Sequence, residues 1–267
     1  MHLKSPWLVG PDTKVSLKDI DPNDHDHLSK DDAEKALSGQ RKRLADLQEV
    51  LYASQKHSVL IVLQGMDTAG KDGTISHIFS GINPQGCDVA SFKVPTPLEA
   101  RHDFLWRCHA QVPAKGMITI FNRSHYEQVL APRVHKLISR KEAREDMRRI
   151  VDFEQMLSES GTLILKFFLH ISAVEQKARL QSRLDDPDKH WKFSDADLRE
   201  RAFWSDYQTA YEDILSRTSR KFAPWFVVPA NYKWFRNDAV SRIMVDAVSS
   251  LDLAYPKPTV DIASIKL

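Results

Sequence analysis

Gly65-Met66-Asp67-Thr68-Ala69-Gly70-Lys71 directly follows an apolar run, Val59–Leu63, and precedes a helix-like stretch, Thr74–Phe79. This G-x-x-x-x-G-K spacing in a strand-to-helix context constrains the chain more than any other feature. Glycines let successive backbone N–H groups converge on an anion. The helix N-terminus adds partial positive charge, and Lys71 adds a full one. Gly65, Ala69, Gly70, Lys71, Asp72 and Gly73 are therefore the phosphate-binding candidates.

Apolar runs and amphipathic stretches alternate along the rest of the chain. The predicted strands are Val59–Leu63, Val89–Val94, Met117–Phe121, Leu163–Leu169 and Trp225–Val228. Ser139 with Glu142, and Ser172 with Glu175, have the spacing of helix capping boxes. From Ser29 a helix begins with Leu37, Leu44, Leu47 and Leu51 on one stripe; spacing alone leaves open whether that seam meets its own core or a second subunit. Strand-helix-strand alternation with apolar strands implies a doubly wound parallel α/β sheet covered on both faces. The expected organisation is an arm at 1–28, one domain at 29–255, and a C-terminal strap at 256–267. The arm reads as surface-draped, with His25 and His27 in a solvated tail. Between the fourth and fifth strands there is too much chain for a simple crossover. Helices at Ser172–Asp185 and Ser194–Ser219, separated by Pro187, make a helical lid at about 172–219.

Composition narrows the function classes. With 42% hydrophobic and 28% charged residues over 267 positions, the chain has enough apolar material for a large core and is not a disordered one. No apolar run approaches the ~20 residues of a membrane span, and Met1–Gly10 lacks the apolar region of a secretory leader. Cys87 and Cys108 have no metal or redox spacing and suit a reducing, cytoplasmic compartment. A net charge of +2 gives no general attraction to nucleic acid or membrane, so any anion site must be local.

Two departures from the usual phosphate loop shape the chemistry. The Ser or Thr that normally follows the lysine and ligates magnesium is Asp72 here. Asp67, an acid among phosphate-seeking amides, needs a cation between itself and the ligand, which makes it a magnesium-ligand candidate. The third strand ends at Asn122, where an Asp is usual, so Glu127 is the candidate to restore the charge. Arg123 offers a planar fork to a phosphate. Plainer readings are a surface ion pair for Arg123 and a first-turn helix acid for Glu127. Arg133, Lys136, Arg140, Arg144 and Arg148 form a cationic stretch; Arg140, Arg144 and Arg148 share one helix face opposite Ile150, Phe153 and Leu157. That face suits a linear polyanion or simply solvent.

Five stretches in order, Leu63–Gly73, Ser91–Pro97, Phe104–Arg107, Phe121–Tyr126 and Arg183–Lys192, resemble the polyphosphate kinase 2 family, P-loop kinases that use inorganic polyphosphate as phosphoryl donor. The diagnostic features are Asp67 between the two glycines and Lys71-Asp72-Gly73 after them. The resemblance implies catalytic roles for Asp67, Lys71, Arg123 and the lid residue Arg183. It also implies Mg²⁺, with Mn²⁺ as a substitute, near Asp67, Asn122 and Glu127. Many members carry Asp where this chain has Asn122. The Asn-Arg-Ser-x-Tyr-Glu form is similar to the subgroup that phosphorylates both AMP and ADP; guanine nucleotides are a further option, and a dimer or tetramer is implied. Rival readings are an ATP-dependent nucleoside monophosphate kinase and a non-catalytic nucleotide-binding P-loop protein.

Overall fold

The computed structural model describes residues 5–265. Five parallel strands, β1 (Ser58–Gln64), β2 (Cys87–Ser91), β3 (Ile118–Asn122), β4 (Thr162–His170) and β5 (Trp225–Pro229), lie in the order β2-β3-β1-β4-β5. Every residue of β1, β4 and β5 is buried, because helices cover both faces of the sheet. At the edge, β2 starts and ends earlier than the expected Val89–Val94, since its pairing with β3 finishes at Ser91↔Asn122.

The helices are α1 (Lys30–Ser54), α2 (Lys71–Ile78), the single turns α3 (Trp106–His109) and α4 (Ala131–Val134), α5 (Arg140–Glu159), α6 (Ala173–Asp185), α7 (Asp195–Arg201), α8 (Trp204–Thr218) and α9 (Lys233–Ser249). The Ser29 hydroxyl caps α1 by accepting from the Asp32 amide, and Gln55 ends it in a left-handed conformation. Leu37, Leu44, Leu47 and Leu51 are buried within this chain, where α1 packs on α9, so the leucine seam is spent on the chain's own core. The reciprocal capping box of Ser139 and Glu142 starts α5, whose Ile150, Phe153 and Leu157 face inward. At Ser172 only half of the expected box forms: its hydroxyl caps α6, while the Glu175 carboxylate turns to Arg179.

Two expectations change. The predicted single helix Ser194–Ser219 is broken at Ala202–Phe203 into α7 and α8. The charged α7 has no buried residue, whereas α8 buries Ala210, Tyr211, Ile214 and Leu215; the kink lets each follow its own partner. Of the segment expected as a helical lid, α7 and the turn before it are exposed, whereas α8 is anchored in the core. The arm does more than drape. Trp7 and Val9 exchange backbone hydrogen bonds with Val227 and Trp225, adding an antiparallel segment that covers the β5 edge. Trp7, Val9, Val15 and Leu17 are buried, and His25 packs against Tyr232 and Trp234 rather than standing free in solvent. The strap is exposed through Ile265, and its last two residues lie outside the described part. Among the described residues no helix is long and apolar enough to cross a membrane.

Candidate active site

The register Leu63↔Asn122 brings the ends of β1 and β3 level, and the Arg123 amide donates to the Leu63 carbonyl at 3.1 Å. Two loops thus leave the C-terminal edge of the sheet side by side, beside the strand where the winding changes direction, the place where open α/β sheets bind ligands. On the β1 side, Gly65 turns at φ 152°, where a Cβ would stand 2.8 Å from the Leu169 carbonyl oxygen. Neither Thr68 (φ 67°) nor Arg123 (φ 62°) is a glycine, yet both hold left-handed backbone. Each such residue stores about 1–3 kcal/mol of strain, one in each of the two loops.

The side chains close that gap. Arg123 donates from Nη2 to Asp67 Oδ1 at 2.8 Å and places Nη1 3.7 Å from Glu127 Oε2. Burial works against its charge, but Glu127 and Asp67 together hold the guanidinium firmly protonated. Lys71 donates from Nζ to the Gly65 carbonyl at 2.8 Å, tucked back along the loop. Burial, helped by Arg123, lowers its pKa from the usual lysine value, while Asp67, Glu127 and Asp72 oppose the shift. Asn122 donates from Nδ2 to Asp72 Oδ1 at 2.7 Å, so its amide oxygen remains available as a neutral ligand. Burial raises the Glu127 pKa, with Arg123 and Lys71 pulling the other way.

The electrostatic balance decides what the site can hold. Three carboxylates, Asp67, Asp72 and Glu127, stand against two cations, Lys71 and Arg123; a polyanion entering this set needs added positive charge. Among the described residues no three His, Cys, Asp or Glu side chains form a ready cage for a metal. Magnesium asks for less: one or two carboxylates, waters and the substrate's own phosphates. The hard oxygen set of Asp67, Asn122 and Glu127 fits it.

Arg183 and Arg133 sit elsewhere. Arg183 donates to the Lys192 carbonyl and to Asp197 Oδ2, each at 3.1 Å, within the lid. Asp197 lies within the field of the loop: burial and Asp67 raise its pKa, and Arg183, Arg123 and Lys71 oppose this. Arg133 donates to Asp213 on α8 at 2.8 Å. Together with Lys14, Arg140, Arg144, Arg217 and Arg220 it lines a groove of about 580 Å³. Only three acids, Asp12, Glu212 and Asp213, offset those six cations. The third member of the expected stripe, Arg148, points into solvent near Asp152, and Arg149 pairs with Asp146.

Some polar residues prove structural. His125 lies in the interior, 3.1 Å from Glu154, and takes no part in the cleft. Tyr211 is buried, and Tyr207 donates to Glu200 at 2.6 Å. The spacing of Arg179, four residues before Arg183 on one helix, points it toward bound phosphates; in the structure it grips the phosphate loop from its carbonyl side, and for its companions there, Gln176 and Arg236, spacing gave no hint. Gln176 donates to the Asp67 carbonyl, Arg179 to those of Thr68 and Ala69, and Arg236 to that of Ala69. The one available signal for Arg236 was the run of three polar residues Arg236-Asn237-Asp238 early in α9.

The polyphosphate kinase 2 (PPK2) family profile matches residues 27–255. A Meiothermus ruber protein named AMP/ADP-polyphosphate phosphotransferase is 51% identical over 94% of this chain and 95% of its own length. A Rhodopseudomonas palustris ADP-polyphosphate phosphotransferase is 46% identical over 95% of this chain and 92% of its own. The crystal structure of polyphosphate kinase 2 from Arthrobacter aurescens superposes with a TM-score of 0.93 at 46% identity, covering 96% of this chain and 92% of that one. With the loop, its acid and the arginine of the neighbouring strand in place, and with likeness along nearly the whole length, the chain belongs to the polyphosphate kinase 2 family.

Proposed function

We propose that this chain transfers a phosphoryl group from inorganic polyphosphate to AMP and ADP. The observation that carries the reading is the groove of Arg133, Arg140 and Arg144, in which cations outnumber acids six to three. A chain of phosphates needs a track of positive charge, whereas a nucleotide donor needs a pocket for its base.

A terminal phosphate oxygen of the acceptor attacks the end phosphorus of polyphosphate in line. The new P–O bond forms as the bridging P–O bond breaks, and the shortened polyphosphate leaves with that electron pair. The attacking oxygen is already ionised at neutral pH, so no protein base is required, in keeping with the inward position of His125. Catalysis is then positioning and charge neutralisation over a loose transition state. The loop amides and Lys71 hold the transferring group, and Arg123 spans it from the β3 side. Arg183 approaches from the lid on closure. Mg²⁺, or Mn²⁺ in its stead, held by Asp67 and Glu127 with Asn122 as a neutral donor, would supply the missing positive charge on the phosphates.

Guanine nucleotides fall within the same acceptor class under this reading, because Lys71 and Arg123 would address the phosphates rather than the base. As a supplier of nucleoside di- and triphosphates the enzyme would work in the cytoplasm, where Cys87 and Cys108, both pushed up in pKa by burial, persist as free thiols. An assembly of two or four copies would have to use a surface other than the internal leucine seam of α1. Incubation with ADP, magnesium and polyphosphate, with no ATP, tests the reading. ATP should appear; product only when ATP is supplied to AMP would make the chain an ordinary nucleoside monophosphate kinase.

A further inference from the structure

Arg236 lies in the first turn of α9 with only 2% of its surface exposed, and among the described residues it pairs with no carboxylate. Its Nε and Nη2 donate to Asn237 Oδ1 at 3.1 and 2.8 Å, and its Nη1 reaches the Ala69 carbonyl at 3.3 Å. The guanidinium fills the space that a side chain on the phosphate loop would need: a Cβ on Gly70 would stand 1.9 Å from Nη1, and one on Gly73 3.3 Å from Nη2. Beside it lies a second buried guanidinium, Arg179. That residue donates to the carbonyls of Thr68, Ala69, Ala230 and Asn231, with Glu175 as its single acid. Lys233 adds a third cation to the same side; burial, Arg179 and Arg236 all lower its pKa.

A buried charge without a counter-charge is costly, and an apolar side chain of the same volume would be cheaper. Burial and the nearby Arg179 depress the Arg236 pKa to about 9, the signature of a cation held where it is not balanced. Hydrogen bonding alone does not account for it, since one neutral Asn oxygen and one long contact are poor return for desolvating a guanidinium. No carboxylate of the described residues pairs with Arg236, and the anion that the loop is shaped to hold would bring negative charge to the other side of the same backbone.

We propose that Arg236, with Arg179, is a positioning residue of the phosphate loop: a buried cationic wall on the carbonyl side of residues 68–70, balanced by the phosphoryl chain bound on the amide side. The pair turns the Thr68 and Ala69 carbonyls away from the anion and lends its field to the anion through a low-dielectric layer. The inference rests on the polyphosphate reading above and deepens it, because it says where the affinity for a chain of phosphates comes from. It also explains the need for glycine at position 70, where φ 103° and the guanidinium together exclude a side chain.

The test measures inorganic tripolyphosphate affinity by calorimetry, and thermal stability without ligand, in the full chain, Arg236→Met and Arg236→Lys. Arg236→Met removes the charge and keeps the volume. It should weaken tripolyphosphate binding about ten- to thirty-fold, the effect of one charge acting at close range through a protein medium, without lowering the Tm of the ligand-free chain. Arg236→Lys retains the charge and should bring affinity back to within about threefold of the parent. A residue that merely packs α9 against the loop would behave oppositely, lowering the ligand-free Tm and leaving affinity alone. Tripolyphosphate binding by Arg236→Met within twofold of the parent overturns the inference alone, and so does a loss of affinity that lysine does not restore. A parent chain with no affinity for tripolyphosphate overturns the donor reading and this inference with it.

Discussion

Asp67 and Arg123, on loops from two different strands, meet at 2.8 Å between Oδ1 and Nη2, and the same guanidinium reaches toward Glu127. This contact ties the phosphate loop to the end of β3 and arranges carboxylates and cations around the space where a phosphoryl group would transfer. It is also partly open to solvent: the Arg123 side chain is 43% exposed. The pair is therefore expected to matter far more for rate than for stability. Arg123→Ala should cut kcat by about 10²- to 10³-fold, the cost of one lost transition-state donor. Its unfolding free energy should drop by less than about 1 kcal/mol, once screening is allowed for. Steady-state kinetics beside urea unfolding decide the matter. Arg123→Lys should rescue little, because one ammonium cannot replace a fork.

Lys71→Ala should nearly abolish turnover and leave the fold unchanged, since the Nζ contacts in the structure are to loop carbonyls rather than to the core. Circular dichroism and turnover measured on the same preparation check this. Retention of more than about a tenth of the parent rate, where ~10²-fold loss is expected, would rule out the role.

Donor length should distinguish the groove from the loop. Charge reversal at Arg140 and Arg144, both on the groove wall, should raise KM for long polyphosphate and deepen its salt dependence. The same variant should leave tripolyphosphate kinetics nearly untouched, because a short donor does not extend that far. Equal losses with both donors would show that the groove does not carry the chain.

Beneath the site, Lys166 in the middle of β4 donates to Glu154 Oε2 at 2.6 Å, to the Tyr126 hydroxyl and to the Thr218 carbonyl, all fully buried. Breaking such a pair leaves an uncompensated charge, so Lys166→Met alone should destabilise the fold by about 3–5 kcal/mol. Lys166→Met combined with Glu154→Gln should recover much of that loss, as a double-mutant cycle in urea would show.

The same cluster sets a pH dependence. Burial pushes the Glu154 carboxyl up, but Lys166 and His125 overcome this and hold its pKa below the ordinary carboxylate value. A carboxyl with a folded pKa below its unfolded value contributes stability that is fully present above the unfolded pKa of about 4.3 and is lost as pH falls through the folded one. Chemical unfolding between neutral pH and pH 3 should therefore show a steep acid limb in the parent. In Glu154→Gln that limb should be shallower, from a lower starting stability.

Much of this was legible along the chain because it is local. A strand, a glycine turn and a capped helix are set by neighbours in sequence, so the phosphate loop, the Ser139 and Ser29 caps and the strands stood close to where spacing put them, the edge strand β2 alone shifted toward its N-terminal side. Candidate residues Asp67, Lys71, Asn122, Arg123 and Glu127 were legible for the same reason, each lying at a strand end or shortly beyond one. What was not legible depends on partners distant in sequence. The break between α7 and α8 follows from α8 being drawn into the core while α7 stays with the lid. The leucine seam of α1 could serve either a subunit or its own core until α9 was seen against it. Arg236 has no legible partner in the sequence until the fold lays it against Gly70, more than a hundred residues away in the chain. Side-chain type and local period determine which elements form and which residues can do chemistry. Only the packed structure decides which charges share a low-dielectric space, because that depends on which segments exclude water together.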